Sequence, residues 1–183
     1  PRYPDITTNE KTDLEIQYHH WIRSISATRS AIQNNSLREL AERQSTSSAK
    51  SVEHLRRHDS LINNDEKIFL FSSAVSKNRK LNCHTFESRN DPLISSWRDR
   101  IENNYTPPEH QREILVLLPC SAKKPYSLSQ SHKVFKRYLV SKFLNEVMVT
   151  SPLGLVPREL EDLWPAAHYD IPVTGSWDED EKI

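Results

Sequence analysis

A cluster of reactive side chains follows a short apolar run in the second half of the chain. Residues 114–118 are all aliphatic, and residues 119–132 then hold one cysteine, two lysines, one tyrosine, four serines and one histidine. Thiols, amines, hydroxyls and imidazoles act in enzymes as nucleophiles and as proton donors or acceptors. Five consecutive aliphatic residues predict a strand buried on both faces, and open α/β sheets bind ligands beyond the carboxyl ends of such strands. The sequence therefore predicts that function lies in the loop that begins at Pro119.

Composition excludes several common kinds of site. Gly154 and Gly175 are the only glycines, so a Walker loop, a dinucleotide fingerprint and a nucleophile elbow are all excluded. The two cysteines, Cys83 and Cys120, are too few for a disulfide framework or a structural zinc site, and His19-His20 is interpreted as part of a helix. We therefore expect no metal and no cofactor within this chain.

The sequence also predicts where the protein resides. No apolar run approaches the roughly 20 residues that a membrane span needs. The first thirty residues lack a signal-peptide layout, and two cysteines without a disulfide framework or a C-x-x-C pair are typical of a reducing compartment, so we expect a cytoplasmic protein without membrane contact. The chain begins at Pro1 and its one methionine is Met148, which predicts a piece of a longer protein or a processed product.

Charge is unevenly distributed although the formal net charge is zero. Residues 111–142 hold seven Lys and Arg against one acid, whereas residues 143–183 hold nine acids against two basic residues. A local basic patch of this size can hold a phosphate backbone, and its candidate contacts are Lys133, Lys136 and Arg137. Neutralisation of this basic face by the acidic tail is an equally good interpretation.

The first third of the chain has the periodicity of helices. Apolar residues recur at helical spacing over residues 11–34, Ser36 and Glu39 have the spacing of a capping box for a second helix, and a third helix is predicted over residues 49–57. We interpret residues 1–64 as a helical segment that precedes a core domain at residues 65–183.

The rest alternates between strand and helix signals. Strands are predicted at 68–71, 114–118 and 147–149, with Leu115, Leu117 and Val149 as core positions. Asp91-Pro92 is a strong helix start, and Ile94, Trp97 and Ile101 then share one face before Pro107-Pro108 ends that helix. A helix capped by Ser131 is predicted through Leu144, followed after strand 147–149 by a loop at 150–157 and a helix at 158–163. The predicted buried stripe of the helix capped by Ser131 consists of Val134, Phe135, Tyr138, Leu139 and Phe143. This alternation predicts a parallel α/β unit.

Three blocks in this region carry a family resemblance. Pro119-Cys120, Lys124-Pro125-Tyr126, Ser129 and His132 have the order and spacing of a signature that resembles the one found in archaeosine synthases, archaeal tRNA-modifying relatives of tRNA-guanine transglycosylases. Residues 150–161 and 165–175 are similar to two further blocks of that family. A weaker similarity relates residues 21–43 to helices that close the transglycosylase-like barrel domain.

The resemblance implies a fold and an activity. It implies an α/β core of three layers, α/β/α, similar to uracil-DNA glycosylases. It also implies a tRNA-modifying transferase that converts the nitrile of 7-cyano-7-deazaguanine at position 15 of tRNA toward an amidine. Implied partners are tRNA, an amine donor such as lysine, a radical enzyme in some lineages, and a barrel and a C-terminal RNA-binding domain outside this chain, with any zinc site lying upstream.

Nitrile chemistry would give roles to the residues of the first block. Addition to a nitrile needs a nucleophile and a proton donor for the developing nitrogen anion. Cys120 would form a thioimidate with Lys123 or Lys124 stabilising its thiolate, or it is a small buried residue at the strand end. Lys124 would serve as general acid or phosphate contact. Tyr126, after Pro125, would stack on the base or donate its hydroxyl, or it is a core tyrosine.

Other polar residues complete the predicted site. The hydroxyls of Ser127, Ser129 and Ser131, with free amides at the start of the following helix, would bind a phosphate or a substrate carboxylate, although helix capping explains one of them. His132 would relay protons or is structural. His168 would bind substrate and Asp170 would bind an amine or orient a base, provided that the block at 165–175 folds back beside the Cys120 loop.

Two other classes of function stay open at this point. The chain is then either a non-catalytic module that positions tRNA for chemistry elsewhere in a transglycosylase-type enzyme, or a base-excising glycosylase. The second rests on fold analogy alone, which is a weak argument for function.

Overall fold

The computed structural model describes residues 10–64 and 80–172. The chain divides into two compact units, residues 1–58 and residues 59–183. The boundary between His58 and Asp59 falls within the third helix, whereas the sequence suggested a division after residue 64. The assignment of these parts to separate domains stays a prediction.

The first unit is helical, as the sequence predicted. Its helices are α1 (Glu10–Gln33), α2 (Leu37–Ser45) and α3 (Ala49–Asn63), the last of which continues into the second unit. The predicted capping box at Ser36 is wrong. Asn35 ends α1 with a φ of 53°, and the Ser36 hydroxyl then donates back to the Ala31 carbonyl at 3.5 Å. Because Ser36 is not in the extended conformation that a capping residue needs, its side chain makes no cap hydrogen bond to α2.

The second unit contains two small sheets. Strands β2 (Ile114–Pro119), β3 (Leu144–Thr150) and β4 (Gly154–Pro157) form one sheet in that order, and β1 (Leu81–Asn82) pairs in parallel with β5 (Tyr169–Asp170) in the other. The helices of this unit are α4 (Pro92–Asn104) and α5 (Gln130–Tyr138), together with short 3₁₀ turns at 86–90, 109–111, 126–128 and 158–160. The unit β2–α5–β3 has parallel strands, which confirms the predicted α/β connection.

The segment after β3 differs from the prediction. Residues 154–157, predicted as loop, form β4 antiparallel to β3. Gly154 adopts a φ of 76° immediately after the turn that reverses the chain, a conformation that glycine reaches without strain. The predicted helix at 158–163 is only a single 3₁₀ turn over Arg158–Leu160.

Helix α4 begins as the sequence predicted. The Asp91 carboxylate accepts from the Leu93 amide at 2.9 Å, and Pro92 occupies the first turn. Ile94 and Trp97 are buried, and Ile101 packs against the same core. The three residues therefore share the inward face of α4.

The burial predicted for β2 is wrong on one face. Leu115 and Leu117 are 59% and 58% exposed, whereas Leu118 is 7% exposed and Val116 packs against the core. Side chains alternate along a strand, and only one face of β2 meets the core, so half of the aliphatic run remains open. In β3, Met148 is fully buried and Val149 is half-buried.

Helix α5 starts earlier and ends earlier than predicted. Ser129, not Ser131, caps it, because Ser129 has extended backbone and its Oγ accepts from the His132 amide at 3.2 Å. The helix ends at Tyr138 instead of Leu144, since Leu144 already belongs to β3. Of the predicted stripe, Phe135 and Leu139 pack on the core, and the exposed members are Val134, Tyr138 and Phe143.

The second unit is thus a mixed helix and sheet structure, consistent with the α/β class, and the three-layer architecture stays a prediction. The strand predicted at 68–71 lies outside the described residues. Within the described ranges, no helix has the length and apolar character needed to cross a membrane.

Candidate active site

Three distant blocks of sequence meet behind the carboxyl end of β2. The reactive loop, residues 119–129, leaves β2 and enters α5. Tyr126 in this loop makes a hydrogen bond of 2.6 Å to the Tyr169 hydroxyl, and the Ser127 amide donates to Glu161 at 3.0 Å. Each contact joins the loop to one of the other two blocks, so the segment at 165–172 does fold back beside the loop.

Lys124 occupies the junction of these segments. Its Nζ lies 3.9 Å from the centroid of the Tyr169 ring, a cation–π distance. Partial burial lowers the pKa of Lys124, and the nearby Cys120 sulfur and Asp170 carboxylate offset this only in part. Because water solvates this ammonium poorly, Lys124 releases its proton more easily than an exposed lysine.

Cys120 is the first residue beyond β2. Its thiol is free and half-buried, and the side chain packs against the edge of the core. Cys83 is 4% exposed and belongs to the core itself. Cys120 is therefore the cysteine that a reagent or substrate can reach.

The buried hydroxyls of Tyr126, Tyr169 and Thr150 form a chain of hydrogen bonds. Thr150 Oγ1 donates to the Ser151 carbonyl at 3.2 Å, so it accepts from the Tyr169 hydroxyl, which in turn accepts from Tyr126. Burial raises the pKa of Tyr126 to about 12 and also raises the pKa of Tyr169. Both phenols are neutral, and Tyr126 is fully buried, which matches its interpretation as a core tyrosine.

His132 is fully buried at the start of α5. Its Nε2 lies 2.9 Å from the Pro119 carbonyl, and its Nδ1 lies 2.9 Å from Arg158 Nη2. A carbonyl only accepts and a guanidinium only donates, so the ring is neutral with its proton on Nε2. Burial, and secondly the Arg158 charge, lower the pKa of His132. Both ring nitrogens are thus engaged in this conformation.

Arg158 forms an ionic cluster that the sequence analysis missed. Its Nε donates to Glu146 Oε2 at 2.9 Å, and its Nη1 donates to Glu161 Oε2 at 3.0 Å. Both carboxylates are largely buried, at 14% and 5% side-chain exposure. The available signal was the charged run at 158–161 within a family block, which was interpreted only as a helix.

The predicted anion site is partly filled by the protein itself. The Ser127 amide is bound by the Glu161 carboxylate, and the Ser129 hydroxyl caps α5. Ser131 Oγ lies 3.2 Å from Ser129 Oγ. The structure therefore brings Ser129 and Ser131 together, and the Glu161 carboxylate already occupies the Ser127 amide.

Asp170, in β5, and His168, the residue before β5, flank Tyr169. Asp170 pairs with Lys80 at 2.9 Å, and this hydrogen bond lowers the pKa of its carboxyl. His84 Nε2 lies 3.8 Å from the same oxygen. The His168 carbonyl accepts from the Leu81 amide at 2.7 Å, and within the described part of the chain its buried Nδ1 has no hydrogen-bond partner. The Asp170 carboxylate is also one of the charges that raise the pKa of Lys124.

The predicted phosphate contacts lie on the surface of α5. The side chains of Lys133, Lys136 and Arg137 are exposed, as is that of Lys123 in the loop. Pro125 is half-buried where the loop enters its 3₁₀ turn. The basic residues can therefore meet a large polyanion without disturbing the core.

In the described part of the chain, neither a metal cluster nor the two grooves along α4 coincide with this site. In residues 10–64 and 80–172, no three His, Cys, Asp or Glu side chains form a group that could hold a metal ion. Two grooves of about 770 and 440 Å³ run along α4 and contain none of the predicted site residues; Tyr105 lines both, and Trp97 and Trp164 line the larger one. The predicted site residues therefore lie outside these two grooves, at the contacts of the reactive loop.

Comparison with known proteins finds a matching family model and several similar proteins. Residues 94–183 match a family model described as a domain of unknown function, DUF5591. The chain is 42% identical over 156 residues to the archaeosine synthase subunit alpha of Thermoplasma acidophilum, which covers 84% of the chain and 29% of that protein. It is 39% identical over 155 residues to the archaeosine synthase of Methanocaldococcus jannaschii, covering 84% of the chain and 24% of that protein.

A third relative gives the same result over a shorter stretch. The archaeosine synthase subunit alpha of Methanosarcina acetivorans is 47% identical over 120 residues, which is 64% of the chain and 18% of that protein. No solved structure matches the chain. The resemblance indicated by the three blocks is confirmed: the chain belongs to the archaeosine synthase family, as a segment that spans 18% to 29% of the length of these relatives.

Proposed function

We propose that this segment acts in archaeosine formation, where it converts the nitrile of 7-cyano-7-deazaguanine at position 15 of tRNA toward an amidine. The observation that carries the proposal is the position of Lys124, 3.9 Å above the Tyr169 ring and in the field of Cys120. A thiol beside a poorly solvated amine is the pair that addition to a nitrile requires. The relatives named archaeosine synthase support the same assignment.

The proposed first step is addition of Cys120. Lys124, once it has lost its proton to solvent, takes the thiol proton through its amine while the sulfur bonds to the nitrile carbon. The π electron pair of the C≡N bond moves to nitrogen, which receives the proton from Lys124, and a thioimidate results. The lowered pKa of Lys124 supports this role, because an amine that holds its proton less tightly returns it more readily to the nitrile nitrogen.

The proposed second step uses an amine donor such as lysine. Its nitrogen bonds to the thioimidate carbon, the C–S bond breaks with its electron pair on sulfur, and the donor's proton regenerates the Cys120 thiol. We assign Asp170 the role of attracting a cationic donor, which its lowered pKa and partly exposed carboxylate support. The barrel domain, the C-terminal RNA-binding domain and a radical enzyme are proposed partners outside this segment.

The experiment that tests the chemistry follows the mass of the modified base. In the full-length enzyme, Cys120→Ser and Lys124→Ala should each abolish the nitrile-to-amidine mass shift while tRNA binding persists. Their combined loss should be smaller than the sum of the single losses on a logarithmic scale, because groups that act as one unit are not additive. Lys50→Ala, at an exposed position of α3, is the control for loss of a lysine.

One result would remove the covalent route. If Cys120→Ser retains nearly the parental turnover and no adduct can be trapped in the parent, Cys120 is structural and the donor amine attacks the nitrile directly. Normal tRNA binding without any product in the parent would instead support the module that only positions tRNA.

We also propose that the exposed basic face of α5 binds tRNA phosphates. Reversing Lys133 and Lys136 to Glu should weaken binding and flatten its dependence on salt, because fewer counterions are then released. The slope of log affinity against log salt, measured in the full-length enzyme, tests this, with Lys50→Glu as the control. An unchanged slope in the double variant would exclude this face as a phosphate contact.

A further inference from the structure

Hydrogen bonds from both ends of the reactive loop lead to one arginine. At the start of the loop, the Pro119 carbonyl binds His132 Nε2, and His132 Nδ1 binds Arg158 Nη2, each at 2.9 Å. Near its end, the Ser127 amide binds Glu161 Oε2, which also binds Arg158 Nη1, each at 3.0 Å. A single guanidinium therefore connects the two ends of the segment that carries the reactive thiol and amine.

We propose that Arg158 is the positioning residue of the reactive loop, acting through His132 on the Pro119–Cys120 peptide and through Glu161 on the Ser127 amide. The Pro119 carbonyl belongs to the peptide bond that leads into Cys120, so fixing it fixes the direction in which the thiol leaves the strand. Arg158 does not itself touch the thiol or the Lys124 amine in any contact that the structure gives.

The chemistry of the cluster requires an arginine. The guanidinium presents several donors in one rigid plane and stays charged at any relevant pH, which a lysine cannot reproduce at three acceptors. Glu146 on β3 binds Nε and Nη2 through its Oε2 and orients the plane, while Nη2 also binds His132 and Nη1 binds Glu161. The side chain of Arg158 is 16% exposed, so water does not replace these acceptors readily.

Arg158 with His132 and Glu161, through which it holds both ends of the reactive loop, is called the clamp. The clamp also requires a neutral His132. Arg158, Glu146 and Glu161 are the charged groups whose fields act on this imidazole. Protonation of Nδ1 would place two donors against each other at the Arg158 contact and break the connection to the loop. The buried ring therefore holds the loop through one tautomer, with hydrogen on Nε2.

The tautomer can be measured in the unmodified chain by ¹⁵N NMR of its histidines. We expect His132 to show an unprotonated, hydrogen-bonded Nδ1 and a protonated Nε2 throughout the neutral pH range. An Nδ1–H tautomer or an imidazolium at neutral pH would overturn the proposal. This measurement decides the matter if the variants below do not fold.

The second test uses the Cys120 thiol as a reporter. In Arg158→Gln, alkylation of Cys120 by iodoacetamide, followed by peptide mass spectrometry, should become roughly tenfold faster or more, which is the effect of losing a hydrogen bond to a charged group. Hydrogen exchange at the Ser127 amide should rise in parallel, and the His132 ¹⁵N shifts should move. Arg158→Lys should restore none of these values fully.

A matched control separates this effect from a general loss of stability. Arg38→Gln removes an arginine–glutamate pair of similar burial, at 14% and 3% exposure, in the helical unit, and it should leave Cys120 alkylation unchanged. A folded Arg158→Gln chain with alkylation within about twofold of the parent would overturn the proposal. The role of the loop in catalysis rests on the proposed function, but alkylation does not, so an inactive full-length parent with an intact clamp would count against that function alone.

Discussion

Removal of the Tyr169 hydroxyl should destabilise the second unit more than removal of the Tyr126 hydroxyl. The proton positions follow from the last contact of the chain, since Thr150 donates to a carbonyl and must accept from Tyr169. Tyr169 in turn accepts from Tyr126. Tyr126→Phe therefore deletes a donor, whereas Tyr169→Phe deletes the acceptor that Tyr126 needs.

The size of each effect follows from burial. Tyr126 is 0% and Tyr169 2% exposed, so water cannot replace a lost partner. Tyr126→Phe removes one hydrogen bond and leaves no orphaned donor, which should cost about 1 kcal/mol. Tyr169→Phe removes two hydrogen bonds and leaves the buried Tyr126 O–H without its acceptor at 2.6 Å, which should cost about 2–3 kcal/mol.

The double variant provides the sharper comparison. With both hydroxyls absent no donor is orphaned, so the double variant should be no less stable than Tyr169→Phe alone, with a coupling energy of about 1 kcal/mol. Urea unfolding followed by tryptophan fluorescence measures all three values. Additive losses, or a Tyr126→Phe chain that is the least stable of the single variants, would refute the assigned direction of these hydrogen bonds.

Three further outcomes test burial and charge in the second unit. Leu118→Ala should cost about 2–4 kcal/mol in urea unfolding, while Leu117→Ala at its exposed neighbour should cost well under half of that; equal costs would contradict the one-sided burial of β2. Lys80→Ala should raise the pKa of Asp170 in an NMR titration, because the pair holds it low. In the parent, the stability that Asp170 contributes is present at neutral pH and is lost as the pH falls through its folded pKa. An unchanged Asp170 titration in Lys80→Ala would exclude this pair as the cause of the lowered pKa. Asp170→Asn should lower the pKa of Lys124 further, since it removes a charge that favours the ammonium, and a rise would contradict the arrangement around Lys124.

Local signals in the sequence were sufficient for several elements. Asp91-Pro92 determined the start of α4, since both the capping carboxylate and the proline act within one turn. Two aliphatic runs separated by a helical pattern determined the parallel pairing of β2 and β3, because a right-handed crossover allows little else. The order and spacing of Cys120, Lys124 and Tyr126 indicated the family, which the comparisons confirmed.

Tertiary structure alone decided what surrounds those elements. An aliphatic run does not encode which face another layer will cover, so the exposure of Leu115 and Leu117 depends on the sheet around them. The partners of Arg158 and Tyr169 are equally invisible in sequence: His132 lies 26 residues from Arg158, and Tyr126 lies 43 residues from Tyr169. Hydrogen bonds at such separations form only when the fold has brought their donors and acceptors together, and these contacts fix the protonation of His132 and the burial of Tyr126.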